Sequence, residues 1–236
     1  MIRARILVIL LIAAGFVPAW RSIAALPARD SLPTLDQLIE RHIQALGGQS
    51  ALANPSVLVL AGECESSNPE ESGPFEISIA TPKVYYSLGQ GALRMGFNGE
   101  TVWRHTESEG LRQMRNRQFA SLVTVFDVAR VLWWKESYPE AAVKGIEKLG
   151  EREAYVVEMR AGSPGSERLF IDRESLLLVR DEVMPTVFTF SDYRAVDGVQ
   201  VPFTIVLTTR VNVTYIHRIR SARRVALVDP SRFEPR

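Results

Sequence analysis

The side chains that could carry chemistry are few. Three histidines (His42, His105 and His217), one cysteine (Cys64) and scattered carboxylates are all that a catalytic or metal site could draw on. A zinc-hydrolase motif needs two histidines one helical turn apart so that both imidazoles face one ion. These three are far apart in sequence, and none sits in such a pair. A serine hydrolase needs its nucleophile on a Gly-x-Ser-x-Gly turn, whereas Gly162-Ser163-Pro164-Gly165-Ser166 has the wrong order and reads as a plain turn. Gly89-Gln90-Gly91 lacks the third glycine and the following helix of a dinucleotide site. Asp192, Asp197 and Glu182 could pair across strands for acid–base work, but ordinary surface charge on a sheet explains them better. Cys64 stands between Glu63 and Glu65, whose charges disfavour a thiolate, so it reads as a packed thiol. Asn212-Val213-Thr214 matches a glycosylation sequon, a short pattern that recurs by chance, and it falls inside an expected strand. The expectation is a protein without catalytic residues, cofactor or metal.

Two features rise above this background. The first is a surplus of aromatic and apolar residues: Phe119, Val123, Phe126, Trp133 and Trp134 in one stretch, with Phe97, Trp103 and Tyr193 elsewhere. They form either ordinary core or the lining of an apolar cavity. The second is the basic cluster Arg218, Arg220, Arg223 and Arg224 near the C-terminus. On an edge strand such charge blocks unwanted pairing; contact with an anionic partner is the alternative.

Charge and compartment narrow the classes further. The chain has 236 residues with 28 basic against 27 acidic, a formal charge of +1, so a nucleic-acid binder is not expected. Arg3 and Arg5 precede an apolar run from Ile6 to Val17, followed by Pro18 and the small residues Ser22, Ala24 and Ala25. This is the pattern of a secretory signal cleaved near Ala24, and the run is too short for a membrane span of roughly 20 residues. Residues 25–236 then form a single exported domain, expected to be a periplasmic monomer. With one cysteine there is no internal disulfide, so core packing must hold it.

The elements that position these residues follow from periodicity. Thr34 and Gln37 form a capping box for a helix whose apolar face includes Leu35, Leu38, Ile39, Ile43 and Leu46 and which ends at Gly47-Gly48. His42, on the edge of that face, reads as a packed or surface residue. From Ser56 the pattern changes to short strands, the clearest hairpin being Phe188 to Val196, Asp197-Gly198, then Val199 to Phe203. A further strand is expected at Thr204 to Thr209, and a last one at Val211 to Ser221. Arg117 to Ser137 breaks the strand pattern as an insert apolar on nearly every side, one helix or two, which must be buried or face a cavity. The fold class is α+β: an antiparallel sheet with an N-terminal helix and a central helical segment.

The order of these parts resembles the periplasmic lipoprotein-carrier superfamily, the fold shared by LolA and LolB proteins, and more closely uncharacterised bacterial outer-membrane lipoprotein-sorting-like proteins. Four stretches carry the resemblance: Pro33-Thr34-Leu35-Asp36-Gln37 with Ala45-Leu46-Gly47-Gly48; Gly96-Phe97-Asn98-Gly99 with Trp103; Arg152 to Glu158; and Tyr193 to Val199 with Val201-Pro202-Phe203. The resemblance implies a strongly curved incomplete barrel lidded by Arg117 to Ser137. It also implies a cavity lined by Phe97, Trp103, Phe119, Val123, Phe126, Trp133, Trp134 and Tyr193 that accepts a lipid or lipoprotein acyl chain without catalysis. A transient envelope protein partner would exchange that cargo. A sensor that uses the same cavity to regulate a membrane partner, and an envelope enzyme built on His105 or His217 with carboxylates, are the alternatives.

Overall fold

The computed structural model describes residues 31–114, 117–160, 166–183, 185–226 and 228–235. The expected signal segment and its cleavage point fall outside them. Six strands precede the helical insert: β1 (Val57–Ser66), β2 (Gly73–Ala80), β3 (Lys83–Leu88), β4 (Leu93–Phe97), β5 (Val102–Thr106) and β6 (Gly110–Met114). Seven follow it: β7 (Ala142–Leu149), β8 (Arg152–Arg160), β9 (Ser166–Asp172), β10 (Leu178–Val183), β11 (Thr186–Val196), β12 (Val199–Thr208) and β13 (Thr214–Val225). All pair antiparallel in one sheet, ordered β6-β5-β4-β3-β2-β1-β13-β12-β11-β10-β9-β8-β7. Two meanders therefore run outward from a central β1–β13 pair, and the sheet curves without closing into a barrel.

This topology overturns one expectation. β13, which carries Arg218, Arg220, Arg223 and Arg224, is not an edge strand but the seam joining both halves. Two of its arginines make local contacts: Arg218 pairs with Glu65, and Arg224 donates to the carbonyls of Ser56 and Ala51. Two strand boundaries also move. β12 runs unbroken through Pro202, because β13 pairs with it only from Thr204 to Thr208 and asks nothing of the missing proline N–H. Asn212 lies in the turn between β12 and β13 at φ 60°, not in a strand.

Alternation along the strands separates the two faces. In β1, Leu58, Leu60 and Cys64 join the main core, whereas Val57 and Val59 pack with Phe233 on the other side. The register shifts at Ala61/Gly62, where a Cβ on Gly62 would sit 2.0 Å from the Arg218 carbonyl oxygen; only glycine permits this approach. Burial and the nearby Glu65 push the Cys64 thiol up to about 12, as befits a packed cysteine.

Helix α1 (Leu35–Ala45) has its capping box: the Thr34 hydroxyl accepts the Gln37 amide, and the Gln37 side chain accepts that of Thr34. Its C-terminal end docks on the β11–β12 hairpin, where the Gln200 amide donates to the Leu46 carbonyl at 2.9 Å. The short α2 (Gln49–Leu52) follows. The insert is α3 (Arg117–Thr124), a 3-10 turn Val128–Trp133 and α4 (Trp134–Ser137). It breaks at Asp127, whose carboxylate accepts the Ala129 amide at 2.9 Å and starts the second piece. Because β6 and β7 are opposite sheet edges, the connection between them must cross the hollow of the sheet. α3 accordingly packs on β3, β4 and β5 and reaches β10, while the 3-10 turn meets α1 and α2. No helix among the described residues is long and apolar enough to cross a membrane.

Candidate functional site

Two cavities flank the insert, and among the described residues they share no lining residue. The first, about 510 Å³, lies beneath Leu122 and Phe126, with Tyr86, Leu88, Leu93, Met95, Phe188 and Leu207 as its apolar walls. Glu70, Glu71, Arg104 and Thr209 also line it. The second, about 440 Å³, lies on the other side of α3 against Ala120, Ser121 and Thr124, with Phe97, Val102, Met114, Trp133, Trp134 and Tyr138.

The residues expected to share one lining are therefore dispersed. Phe97, Trp133 and Trp134 line the second cavity and Phe126 the first. Val123 is fully buried and touches neither. Tyr193 packs against the core outside both, its hydroxyl donating to the Leu178 carbonyl at 2.6 Å. Trp103 faces away from the hollow: its neighbour Val102 points inward, so strand alternation turns Trp103 outward. There its indole N–H donates to the Phe233 carbonyl at 2.8 Å and its ring covers Gly96, where a Cβ would stand 2.9 Å from the indole. The Phe119 side chain falls outside what the structure describes.

At the floor of the first cavity, His217 and the Tyr86 hydroxyl are bonded at 2.9 Å between the rings of Phe75 and Phe126. Glu70 and Glu71 line the same cavity, but Glu71 accepts the Tyr215 hydroxyl and neither acid bonds His217. Burial lowers the His217 pKa from 6.5 to about 4, partly opposed by the Ile205 backbone. His42 behaves likewise: burial lowers it to about 4, its Nδ1–H donates to the Leu176 carbonyl at 2.6 Å, and its ring stacks on Trp134 at 5.4 Å. Both imidazoles are neutral at pH 7.

A histidine that binds protons more weakly when folded contributes stability above pH 6.5 and loses it as pH falls toward 4, on the order of 3 kcal/mol each. Asp127 and Asp181, whose pKa values are raised, oppose this in part. An NMR titration should find the His217 ring neutral at pH 5, and His217→Gln should flatten the acid limb of the stability curve. A ring titrating near 6.5 would refute the assignment.

Above the second cavity lies a buried ionic cluster that the sequence did not announce. Arg130, the lone arginine of the insert's second piece, donates to Glu167 on β9 at 2.8 Å and to Asp181 on β10. Tyr138 donates to the second Glu167 oxygen at 2.5 Å and bonds Ser121 at 2.9 Å. Burial opposes the Arg130 charge, but Asp181 and Glu167 outweigh it and hold the guanidinium protonated. Burial, reinforced by Glu167, pushes Asp181 well above the carboxylate range. The available signal was an arginine in a segment apolar all round, which demands a buried counter-charge. Glu182, expected to be a surface charge, is also buried, bridged by Arg168 at 3.1 Å and Arg180 at 2.7 Å. Asp192 and Asp197 are exposed strand and turn residues at positive φ.

No family model matches the sequence, and no curated protein matches it. Solved structures do. A LolA superfamily protein from Nitrosomonas europaea superposes with a TM-score of 0.56 at 10% identity, over 85% of this chain and 97% of that one. This chain has a LolA-like fold. A DUF1329 family protein from Desulfovibrio piger gives 0.53 at 10% identity, over 84% and 96%. A domain described as an outer membrane lipoprotein-sorting protein from Vibrio parahaemolyticus gives 0.51 at 12% identity, over 83% and 95%. The overall fold thus persists at 10–12% identity, where few side chains are shared.

Proposed function

We propose that this chain is a periplasmic binding protein, without catalysis, that accepts a lipid or lipoprotein acyl chain in the cavity beneath α3. The observation that carries this reading is the 510 Å³ space between Leu122 and Phe126 of the insert and the aliphatic and aromatic side chains of the sheet. Its volume suits a ligand pocket, and an acyl chain carried through water needs apolar walls that already exist. Each methylene transferred there contributes about 0.8 kcal/mol, so a single chain suffices for reversible capture. The likeness to a domain described as a lipoprotein-sorting protein supports the same reading, with a transient envelope protein as the receiver of the cargo. Protein isolated from the periplasm should carry lipid in native mass spectra and bind a fluorescent acyl probe. Lipid-free spectra together with no probe binding would end the proposal.

A further inference from the structure

The first cavity is apolar at one end and charged at the other. Its inner end is made by the buried Tyr86, Phe126, Phe188 and His217, and the Tyr86 hydroxyl is already bonded to His217. That end asks no polar group of a ligand and suits a terminal methyl. The opposite end is built from turns: Glu70 and Glu71 lie on the 3-10 turn Pro69–Glu71, Ser108 follows β5, and Thr209 follows β12. Glu70, Glu71, Ser108 and Arg104 are exposed, so this end is the mouth.

Size and charge narrow what such a cavity can hold. A methylene takes about the room of a water molecule, roughly 30 Å³, so the 510 Å³ is filled by ~17 methylenes. That is one long acyl chain, and a second of equal length finds no room beside it. The second cavity offers no continuation, because it lies across α3 and shares no lining residue among those described. At the mouth, Glu70 and Glu71 are acidic, whereas Arg104 is paired with Glu109 at 3.1 Å. An anionic head group there would meet net negative charge.

We propose that the first cavity selects a monoacyl lipid whose head group is uncharged or zwitterionic. One chain fills the space with its methyl end toward His217, and the head stays at the mouth beside Glu70 and Glu71. This inference deepens the acyl-chain reading and rests on it, and it excludes a diacyl or triacyl lipid held wholly within this cavity.

The test uses the full exported protein, stripped of lipid, with a fluorescent acyl probe at pH 7. The competitors are monoacyl phosphatidylcholines of increasing chain length and free myristate. Affinity should rise about fourfold per methylene and level off near about 16 carbons, where the space is full. Native mass spectra should show one monoacyl lipid per protein and no diacyl lipid, even after incubation with dimyristoylphosphatidylcholine vesicles doped with the monoacyl lipid. Myristate should bind at least tenfold more weakly than monomyristoylphosphatidylcholine. The double variant Glu70→Gln, Glu71→Gln, at exposed positions where glutamine can still accept the Tyr215 hydroxyl, should bring the two within threefold. Two or more probe-competing lipids per protein, a diacyl lipid in the complex, or affinity still climbing at about 20 carbons would overturn the single-chain selection. Myristate binding equally well, or an unchanged preference in the double variant, would overturn the head-group selection. An acyl probe that does not bind at all would instead overturn the acyl reading, and this inference with it.

Discussion

Arg130→Ala is expected to destabilise the fold by on the order of 3–5 kcal/mol, read as a lower urea midpoint at an unchanged slope. The substitution leaves Asp181, 0% exposed, and Glu167, 3% exposed, facing each other with no cation between them. Protonation of Asp181, whose pKa already lies well above the carboxylate range, relieves part of the strain, so the loss should be smaller at pH 5 than at pH 8. The triple change Arg130→Met, Glu167→Gln, Asp181→Asn should recover much of the loss, because the penalty arises from stranded charge rather than from a net attraction. Since Arg130 belongs to the insert and both acids to the sheet, the same contact ties the one to the other. A loss below about 1 kcal/mol for Arg130→Ala would show that the cluster is not what holds them together.

Leu122→Glu should weaken acyl-probe binding at least 30-fold, about 2 kcal/mol, while Thr124→Glu should leave it within about threefold. The two positions lie on the same helix, with Leu122 lining the first cavity and Thr124 the second. A glutamate at Leu122 puts a charge where the acyl chain would lie, and the chain cannot solvate it. Fluorescence titration of both variants, with melting curves to establish that each is folded, decides the matter. Equal loss in the two would mean that the insert, not the cavity beneath Leu122, governs binding.

How much of this was legible beforehand depends on the range of the interaction. The capping box at Thr34 and Gln37 was legible because its partners are three residues apart. The Asp197-Gly198 turn was equally clear, because few residue pairs accept positive φ in succession and both residues here do so. Period-two alternation marked most strands, and the all-round apolar pattern of Arg117 to Ser137 marked an insert that must be covered, whose break at Asp127 is a local cap of the same kind.

What composition and periodicity left open was which strand meets which. The Arg218 to Arg224 cluster looked like edge protection because the strand is last in the chain, yet β13 pairs with β1 across more than a hundred residues of sequence and becomes the seam. The aromatic set Phe97, Trp103, Phe126, Trp133, Trp134 and Tyr193 could be recognised as apolar surplus, but its division between two cavities, the core and the outer face is fixed by strand parity and by the path of α3. Arg130, Glu167 and Asp181 are 37 and 51 residues apart, and no local pattern joins them. Sequence alone determined the local elements and the α+β class, because caps, turns and periodicity act over a few residues. Tertiary structure decided the seam, the two cavities and the buried ionic cluster, because each requires groups that only the closed path of the chain brings within hydrogen-bonding distance.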